Sequence, residues 1–274
     1  MTSIPFWKMS GSGNDFILID NREGVVRVAD TSLFAARICR RKISAGADGV
    51  ILVENSAAAD FKWRFYNSDG SIAEMCGNGA RCAARFCFLN GIAGRRMRFE
   101  TEAGVIGARV NGDKVKIAMT APYDLVLKAA LKIDTQTIEF DGINTGVPHV
   151  VIQTDDIEMA PVVPLGRRIR HHARFAPAGT NVNFIAPLEE HVWAIRTYER
   201  GVEDETLACG TGNVAAALVL GLQNSVNSPV TLKTRGGEYL KVYFSKQGPQ
   251  FENIHLEGDA RVIYQASLHP DAWG

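Results

Sequence analysis

The sequence carries one short motif twice, and the two copies are 133 residues apart (209 − 76). Cys76 precedes a Gly-x-Gly turn that leads into a segment rich in Ala, Arg, Cys and Phe. Cys209 precedes a second such turn that leads into an almost wholly apolar segment. Both segments have the composition of buried helices. The pattern therefore predicts two buried helices that each begin at a cysteine.

The same offset aligns other parts of the chain, which indicates an internal repeat. The two aligned parts, 1–141 and 134–274, contain 13 glycines each, so about 1.2 coincidences are expected by chance, whereas five occur. Apolar runs also match, 17–19 with 150–152. We interpret the chain as two copies of one unit. The glycine pairs are Gly13 with Gly146, Gly46 with Gly179, Gly77 with Gly210, Gly79 with Gly212, and Gly104 with Gly237.

The length agrees with this interpretation. A chain of 274 residues lies where single hydrophobic cores stop growing and chains divide into domains. We expect an N-terminal domain at 1–120 and a C-terminal domain at 121–263. The tail at about 264–274 is expected to be able to return to the first domain.

The composition bears on partners and location. The 30 basic and 30 acidic residues give a formal net charge of zero, which argues against nucleic acid or an anionic membrane as the main partner. Short basic runs such as 167–170 are expected to be solvated surface. No stretch of about 18 apolar residues occurs, and the N-terminus has no basic leader followed by an apolar core. We therefore expect a cytoplasmic protein.

Short strand-like runs fill most of the chain between the few predicted helices. The segment 31–41 is predicted to be an amphipathic helix capped by Asp30, and the Cys76 and Cys209 helices should end near Asn90 and Gly221. A helix that is apolar on nearly every face must be surrounded on all sides. The prediction is an α/β fold of the α+β type, with two pseudo-symmetric domains, each a curled mixed sheet around a central apolar helix.

A helix start changes the chemistry of a cysteine. Its unpaired N–H groups and the helix dipole favour an anion, and cysteines placed there have pKa values lowered from ~8.5 to roughly 3.5–7.5. Glycines let backbone N–H groups approach a bound carboxylate. Each helix start is thus suited to hold an anion beside a base. Cys39, Cys82 and Cys87 lie on apolar stretches and are expected to be buried structural thiols.

Other readings of these two glycine turns fit less well. A phosphate-binding loop needs Gly-Lys-Ser/Thr, and a dinucleotide-binding turn needs a third glycine; neither turn has them. The five cysteines and six histidines lack zinc-ligand spacing, so we expect no metal. A cysteine hydrolase would leave the second matched cysteine unexplained. Two thiols on a cleft shared by two similar domains suggest removal of a proton from one face of a carbon and delivery to the other, a reaction that demands no cofactor.

Motifs along the whole chain resemble the diaminopimelate epimerase family. The resemblance implies cofactor-independent conversion of LL- to meso-diaminopimelate, in the pathway to lysine and peptidoglycan, by a pair of α/β domains that usually forms a homodimer. The segments that carry it are Ser-Gly-Ser-Gly-Asn-Asp-Phe at 10–16, Asn-Ser-Asp-Gly-Ser at 67–71, Met-Cys-Gly-Asn-Gly-Ala-Arg at 75–81, Pro-His at 148–149, Tyr-Glu-Arg-Gly at 198–201 and Ala-Cys-Gly-Thr-Gly at 208–212.

The resemblance also implies roles for the matching positions. Cys76 and Cys209 would be the two acid/base residues, and His149 and Glu199 would tune the protonation of their thiols. The first residues of the two helices would bind the reacting α-carboxylate: Gly77, Asn78, Gly210 and Thr211. The carboxylates and amines of the substrate would be held by Asn14, Asn67, Asn181, Glu199 and Arg200.

Two positions depart from the family pattern. Val147 stands where the pattern often has asparagine before Pro-His, and Gly49 follows Asp48 where some members have glutamine. Both changes bear on substrate identity and leave the two cysteines untouched. Two alternatives therefore stay open: a cofactor-independent racemase of another amino acid, such as histidine or proline, and a thiol protein with a redox or scaffold role.

Overall fold

The structure is a computed structural model that describes residues 3–223, 225–248 and 250–274. It divides into two compact units. Unit 1 comprises Met1–Ile117 and Gly258–Gly274, and unit 2 comprises Ala118–Glu257. The divisions thus follow residues 117 and 257, where the sequence suggested 120 and 263.

Unit 1 contains eight strands and two α-helices in its described residues. Its chain order is β1 (Ile4–Gly11), β2 (Asn14–Asp20), α1 (Thr31–Ile38), β3 (Gly49–Glu54), β4 (Phe61–Asn67), α2 (Gly77–Leu89), β5 (Arg96–Thr101), β6 (Gly104–Asn111) and β7 (Lys114–Ala118), with a last strand, Arg261–Leu268, near the end of the chain.

Unit 2 repeats this arrangement with an additional short strand. Its elements are β8 (Tyr123–Ile133), β9 (Gln136–Asn144), β10 (Pro148–Gln153), α3 (Val162–Arg170), β11 (Asn181–Glu189), β12 (Val192–Glu199), β13 (Asp204–Thr206), α4 (Gly210–Leu222), β14 (Val230–Lys233), β15 (Tyr239–Gln247) and β16 (Gln250–Asp259). The strand Arg261–Leu268 of unit 1 is accordingly β17.

The two units pair their strands in the same order and with the same directions. Unit 1 runs β17, β1, β2, β3, β4, β5, β6, β7, with β2–β3 and β4–β5 parallel and the other pairs antiparallel. Unit 2 runs β8, β9, β10, β11, β12, β14, β15, β16, with β10–β11 and β12–β14 parallel. The repeat inferred from the sequence is therefore a repeat of topology.

A central helix occupies each sheet. Helix α2 contacts β1, β2, β3 and β6, and α4 contacts β9, β10, β11, β12, β14 and β15. Because these strands lie far apart in the pairing order, each sheet curls around its helix. Both helices have 13 residues and differ in position by 133. The predicted fold class is confirmed.

Aligned glycines also share a backbone conformation. Gly46 and its equivalent Gly179 have φ values of 70° and 68°, in the left-handed region that L side chains rarely adopt. The turns that glycine permits at these positions thus recur in both units, which explains why the sequence repeat is clearest in its glycines.

The smaller helices cover the outer faces of the sheets. Asp30 caps α1 as predicted, since its side chain accepts from the Leu33 N–H at 3.0 Å. Helix α3 was not predicted, because Pro164 and Gly166 are poor helix formers. Tertiary packing decides its position: a Cβ at Gly166 would lie 2.6 Å from Tyr198 Cβ, so only glycine allows this approach to β12. The basic run 167–170 belongs to this helix.

None of the helices in the described ranges is both long and apolar enough to cross a membrane.

Candidate active site

Helix α2 begins at a cysteine that caps its N-terminus. Cys76 has an extended backbone (φ −146°, ψ 116°), and its Sγ accepts a hydrogen bond from the Gly79 N–H at 3.5 Å. Serine or aspartate usually fills this position, because their oxygens accept from the first helical N–H groups. Here the acceptor is the half-buried sulfur of Cys76.

A chain of hydrogen bonds orients two asparagines beside this helix start. Arg81 Nη2 donates to Asn78 Oδ1 at 2.9 Å, Asn78 Nδ2 donates to Asn14 Oδ1 at 2.8 Å, and Asn14 Nδ2 donates to Asp48 Oδ2 at 3.0 Å. A guanidinium only donates and a carboxylate only accepts, so the two ends of the chain fix the direction of both amides. These bonds bring Asn14 and Asn78 together beside the start of α2.

The chain of amides ends in an ion cluster. Arg41 Nη2 lies 2.9 Å from Asp48 Oδ1, and Lys8 Nζ lies 2.8 Å from Asp15 Oδ2. Burial acts to raise the pKa of Asp15, but hydrogen bonds from Arg41 and Lys8 and their charges outweigh it, so the pKa is lowered. Arg41 thus pairs with one oxygen of Asp48, and the other oxygen accepts from Asn14.

The Asn67 side chain forms its hydrogen bond within its own turn. Its Nδ2 donates to Ser71 Oγ at 2.9 Å, and its carbonyl accepts from the Gly70 N–H at 2.9 Å. The residue therefore serves the turn between β4 and α2. A role in substrate binding remains a proposal for Asn67.

Helix α4 also begins at a cysteine, but a buried one. Cys209 is 5% exposed, and its Sγ lies 3.6 Å from Thr211 Oγ1. The Asn213 side chain donates to the Cys209 carbonyl at 2.7 Å, and Thr145 Oγ1 donates to the Thr211 carbonyl at 3.1 Å. These bonds fix the first turn of α4 and tie it to Thr145, which directly follows β9.

His149 is fully buried at the start of β10. Its Nδ1 lies 3.2 Å from Asn183 Nδ2, and its Nε2 has no hydrogen-bond partner among the described residues. Burial, together with the positive charge of Arg200, lowers the pKa of His149 to about 3. His149 is therefore neutral near pH 7.

Three further predicted residues lie together where β11 and β12 meet. Asn181 Oδ1 accepts from the Arg200 N–H at 2.8 Å, and Asn181 Nδ2 donates to the Pro148 carbonyl at 3.2 Å. Burial raises the pKa of Glu199, although Thr206 Oγ1 donates to its Oε2 at 2.9 Å. Asn181, Glu199 and Arg200 thus lie close together in unit 2.

Sequence reasoning missed several polar residues around both helix starts. The sequence predicts an apolar helix around Arg81, but this charged side chain is fully buried in the helix and orients Asn78. Asn183 follows Asn181 by two residues on β11, and strand periodicity places such residues on the same face. The spacing from Asn181 could therefore have identified Asn183 from the sequence. No three His, Cys, Asp or Glu side chains in the described ranges are grouped as a metal site.

Comparison with known proteins identifies relatives along the whole chain. A family model described as diaminopimelate epimerase matches residues 6–126 and 142–262. A protein named diaminopimelate epimerase from Aquifex aeolicus is 46% identical over an alignment that covers 96% of this chain and 97% of that protein. Proteins of the same name from Archaeoglobus fulgidus (97% and 96% covered) and Chlorobaculum tepidum (95% and 99%) are 44% and 41% identical.

Solved structures with the same fold are more distant in sequence. A PhzF-family phenazine biosynthesis protein from Bacillus anthracis has a TM-score of 0.74 at 16% identity, covering 98% of this chain and 100% of that one. A probable proline racemase from Agrobacterium radiobacter has a TM-score of 0.71 at 14% identity, covering 99% and 96%. These similarities establish the fold.

Proposed function

Because the chain belongs to the diaminopimelate epimerase family, we propose that it interconverts LL- and meso-diaminopimelate by proton transfer at the α-carbon between Cys76 and Cys209. The observation that carries the proposal is the repeated helix start: a cysteine occupies the N-cap position of a buried 13-residue helix in each unit, at the same place in the same topology. Inversion of a carbon by two-base proton transfer needs one acid/base group on each face, and the repeat supplies a matched pair.

In the proposed mechanism one cysteine reacts as thiolate and the other as thiol. The thiolate takes the α-proton, the electron pair remains on the α-carbon and its carboxylate, and the thiol of the other unit delivers its proton to the opposite face. The two sulfurs exchange protonation states in each turnover. The first N–H groups of α2 and α4, at Gly77, Asn78, Gly210 and Thr211, stabilise the negative charge on that carboxylate.

Other side chains would hold the substrate and set protonation. Asn14, whose amide is oriented by Asp48 and Asn78, would bind the substrate's polar groups together with Asn67 and Asn181. Arg200 would pair with a carboxylate, and Glu199, whose pKa is raised, would accept an ammonium or tune a thiol. His149 is neutral and would act on charge through hydrogen bonding.

The proposal extends to the cofactor, the cellular location and the oligomeric state of the protein. The reaction uses no cofactor, pyridoxal phosphate included; the protein is cytoplasmic; and it works as a homodimer. The family resemblance supports each of them. Activity that survives dialysis against hydroxylamine, which removes pyridoxal phosphate from enzymes, supports the first, and sedimentation equilibrium tests the third.

Deuterium exchange tests the reaction. The protein in heavy water is given LL-diaminopimelate, meso-diaminopimelate, L-histidine and L-proline separately, and proton NMR follows the α-proton while chiral chromatography follows the stereoisomers. We expect exchange and inversion with both diaminopimelates only. Turnover of histidine or proline in place of diaminopimelate would replace this function with another amino-acid racemisation.

Val147 sharpens that test. An asparagine at this position would restore the amide of the family pattern. Val147→Asn is expected to change the KM for diaminopimelate by an amount that corresponds to one hydrogen bond, ~1 kcal/mol of binding free energy. The stereochemical course should not change.

A further inference from the structure

Unit 2 places polar residues at three buried positions where unit 1 has apolar ones. Strand pairing defines the equivalence: Ile51 pairs with Phe65 in unit 1, and Asn183 pairs with Thr197 in unit 2. In unit 1, Phe16 pairs with a residue of β3, and Ile51 lies two positions after that residue. In unit 2, His149 pairs with a residue of β11, and Asn183 lies two positions after that residue. The apolar set of unit 1 is thus replaced by Asn183, Thr197 and His149.

The same equivalence appears at the helix starts. A Cβ at Gly79 of α2 would have Ile51 Cδ1 as its nearest neighbour, at 3.3 Å. A Cβ at Gly212 of α4 would lie 2.3 Å from Asn183 Oδ1 and 3.3 Å from Cys209 Cβ. The Asn183 amide and Cys209 therefore border the same point beside the first turn of α4. Because unit 1 folds with apolar side chains here, the fold itself does not require the polar set.

Hydrogen bonding fixes the direction of the Asn183 amide. Its Nδ2 donates to the Val150 carbonyl at 2.8 Å, and its Oδ1 accepts from Thr197 Oγ1 at 2.9 Å. A backbone carbonyl cannot donate, so the nitrogen must face Val150. The second hydrogen on Nδ2 then points to His149 Nδ1, 3.2 Å away. His149 Nδ1 accepts this hydrogen, and the proton of the neutral ring is on Nε2.

We infer that Asn183 is a positioning residue that holds His149 as a neutral hydrogen-bond donor, with its proton on Nε2, for an anion bound beside the start of α4. The inference rests on the proposed function, in which that anion is the substrate carboxylate or a thiolate. Nε2 is buried and has no hydrogen-bond partner among the described residues, so its N–H is available to such an anion. In this arrangement His149 stabilises negative charge and removes no proton from the substrate.

The histidine ring reports the arrangement directly. In protein labelled with ¹⁵N-histidine, NMR correlation of ring nitrogens with ring C–H protons distinguishes protonated from unprotonated nitrogen, and His149→Gln identifies the signals of His149. At neutral pH we expect His149 Nε2 protonated and Nδ1 unprotonated. A proton on Nδ1 overturns the inference, whether or not the protein epimerises diaminopimelate.

Asn183→Asp reverses the polarity of the contact. Its carboxylate accepts from the ring, so the proton should move to Nδ1 or the ring should become doubly protonated. The kcat should fall about tenfold to a hundredfold, the effect of losing one hydrogen bond to a charged group, with a smaller change in KM. Asn90→Asp is the matched control, because Asn90 Nδ2 also donates to a backbone carbonyl, that of Phe86, but in unit 1.

Thr197→Val separates positioning from packing. It removes the donor to Asn183 Oδ1 and leaves the bonds from Nδ2 in place, so the tautomer of His149 should be kept. If Asn183→Asp does not fold by circular dichroism, Asn183→Leu takes its place and should give a mixture of tautomers with the same loss of kcat.

The two proposals fail separately. An unchanged tautomer in a folded Asn183 variant, or a kcat within about twofold of the wild type, overturns the positioning role while the epimerase stands. A wild-type protein with the expected tautomer, shifted by Asn183→Asp, but without activity on diaminopimelate supports the positioning role and overturns the proposed function.

Discussion

Around α2, Gly79 faces the apolar side chains of Ile51, Trp63 and Phe16, whereas around α4 the equivalent Gly212 faces the Asn183 amide. The two cysteines also differ in burial, since Cys76 is half-buried and Cys209 is almost fully buried. The helix starts share a backbone but stand in different surroundings. Duplication has thus preserved a cysteine at the start of each central helix, and the side chains around it have diverged.

The two units also differ in their buried ionisable side chains. Unit 1 buries Arg81 completely and supplies its guanidinium with acceptors that include Ser12 Oγ at 2.7 Å. In unit 2 burial disfavours the charged forms of two side chains, since it lowers the pKa of His149 and raises that of Glu199. A helix dipole common to both units does not by itself decide how each thiol is protonated, because the neighbouring side chains differ.

The largest expected effect is on activity, and it should be equal in both units. Cys76→Ala and Cys209→Ala should each lower kcat at least about 10²- to 10⁴-fold, since each removes one acid/base group. The two variants should differ in stability. Cys209→Ala should lower the free energy of unfolding by ~1 kcal/mol and Cys76→Ala by less, because Cys209 is more deeply buried than Cys76. Steady-state kinetics and urea unfolding measure the two quantities.

Cys39→Ala is the control for both cysteine variants. Burial raises the pKa of Cys39 to about 12, which makes it a structural thiol. Its alanine variant should keep its activity. Ready turnover by either Cys76→Ala or Cys209→Ala would break the equivalence of the two helix starts.

Removal of the buried charge should act on unit 1 alone. Arg81→Met leaves the acceptors at Ser12, Asn78 and Asp259 without their donor and should cost about 2–4 kcal/mol of unfolding free energy. Hydrogen exchange read peptide by peptide should place the loss in unit 1. Arg64→Met, which breaks the partly exposed pair with Glu54, should cost less than ~1 kcal/mol. Equal losses would contradict a special role for Arg81.

A matched pair of glycine substitutions tests the difference in surroundings. Gly212→Ala drives a methyl group into Asn183 Oδ1 and should cost about 1–3 kcal/mol by overpacking. At Gly79 the new methyl group meets the end of the flexible Ile51 side chain, and alanine favours the helix, so stability should stay within ~1 kcal/mol of the wild type. Urea unfolding of the two variants decides; similar values would mean that the two helix starts are packed alike.

The effect that is smallest near neutral pH is a pH dependence of stability that arises from His149 in unit 2. The folded pKa of His149, about 3, lies below the usual 6.5, so between these values the unfolded chain binds a proton that the folded protein does not. Stability should therefore fall as the pH drops from 6.5 toward 3, by up to ~1.4 kcal/mol per pH unit from this residue. The equivalent residue of unit 1, Phe16, does not titrate.

His149→Gln should remove this part of the slope, and urea unfolding at several pH values measures it. His191→Gln, at a histidine with an exposed side chain, is the control and should leave the slope unchanged. A wild-type slope that His149→Gln does not reduce would show that His149 is protonated in the folded protein.

Sequence patterns predicted the parts of the fold that depend on local chemistry. The helices that begin after Asp30, Cys76 and Cys209 follow from residues next to each other in the chain. The side chains of Asp30 and Cys76 cap their helices through contacts with near neighbours. Helix α3 was missed because its stability comes from packing on Tyr198, a contact between residues distant in sequence. Strand β8 was missed too, since its exposed residues give no clear alternation.

By itself the sequence determined that the chain is a duplicated unit with a thiol at the start of each central helix, since repeated glycines and cysteines are visible without coordinates. Only the tertiary structure decided which neighbours those helix starts have. Asn183 meets His149 and Thr197 through strand pairing, and Arg81 meets Ser12 and Asp259 across unit 1. Such contacts depend on register, and the direction of a hydrogen bond depends on which groups register brings within about 3 Å of each other.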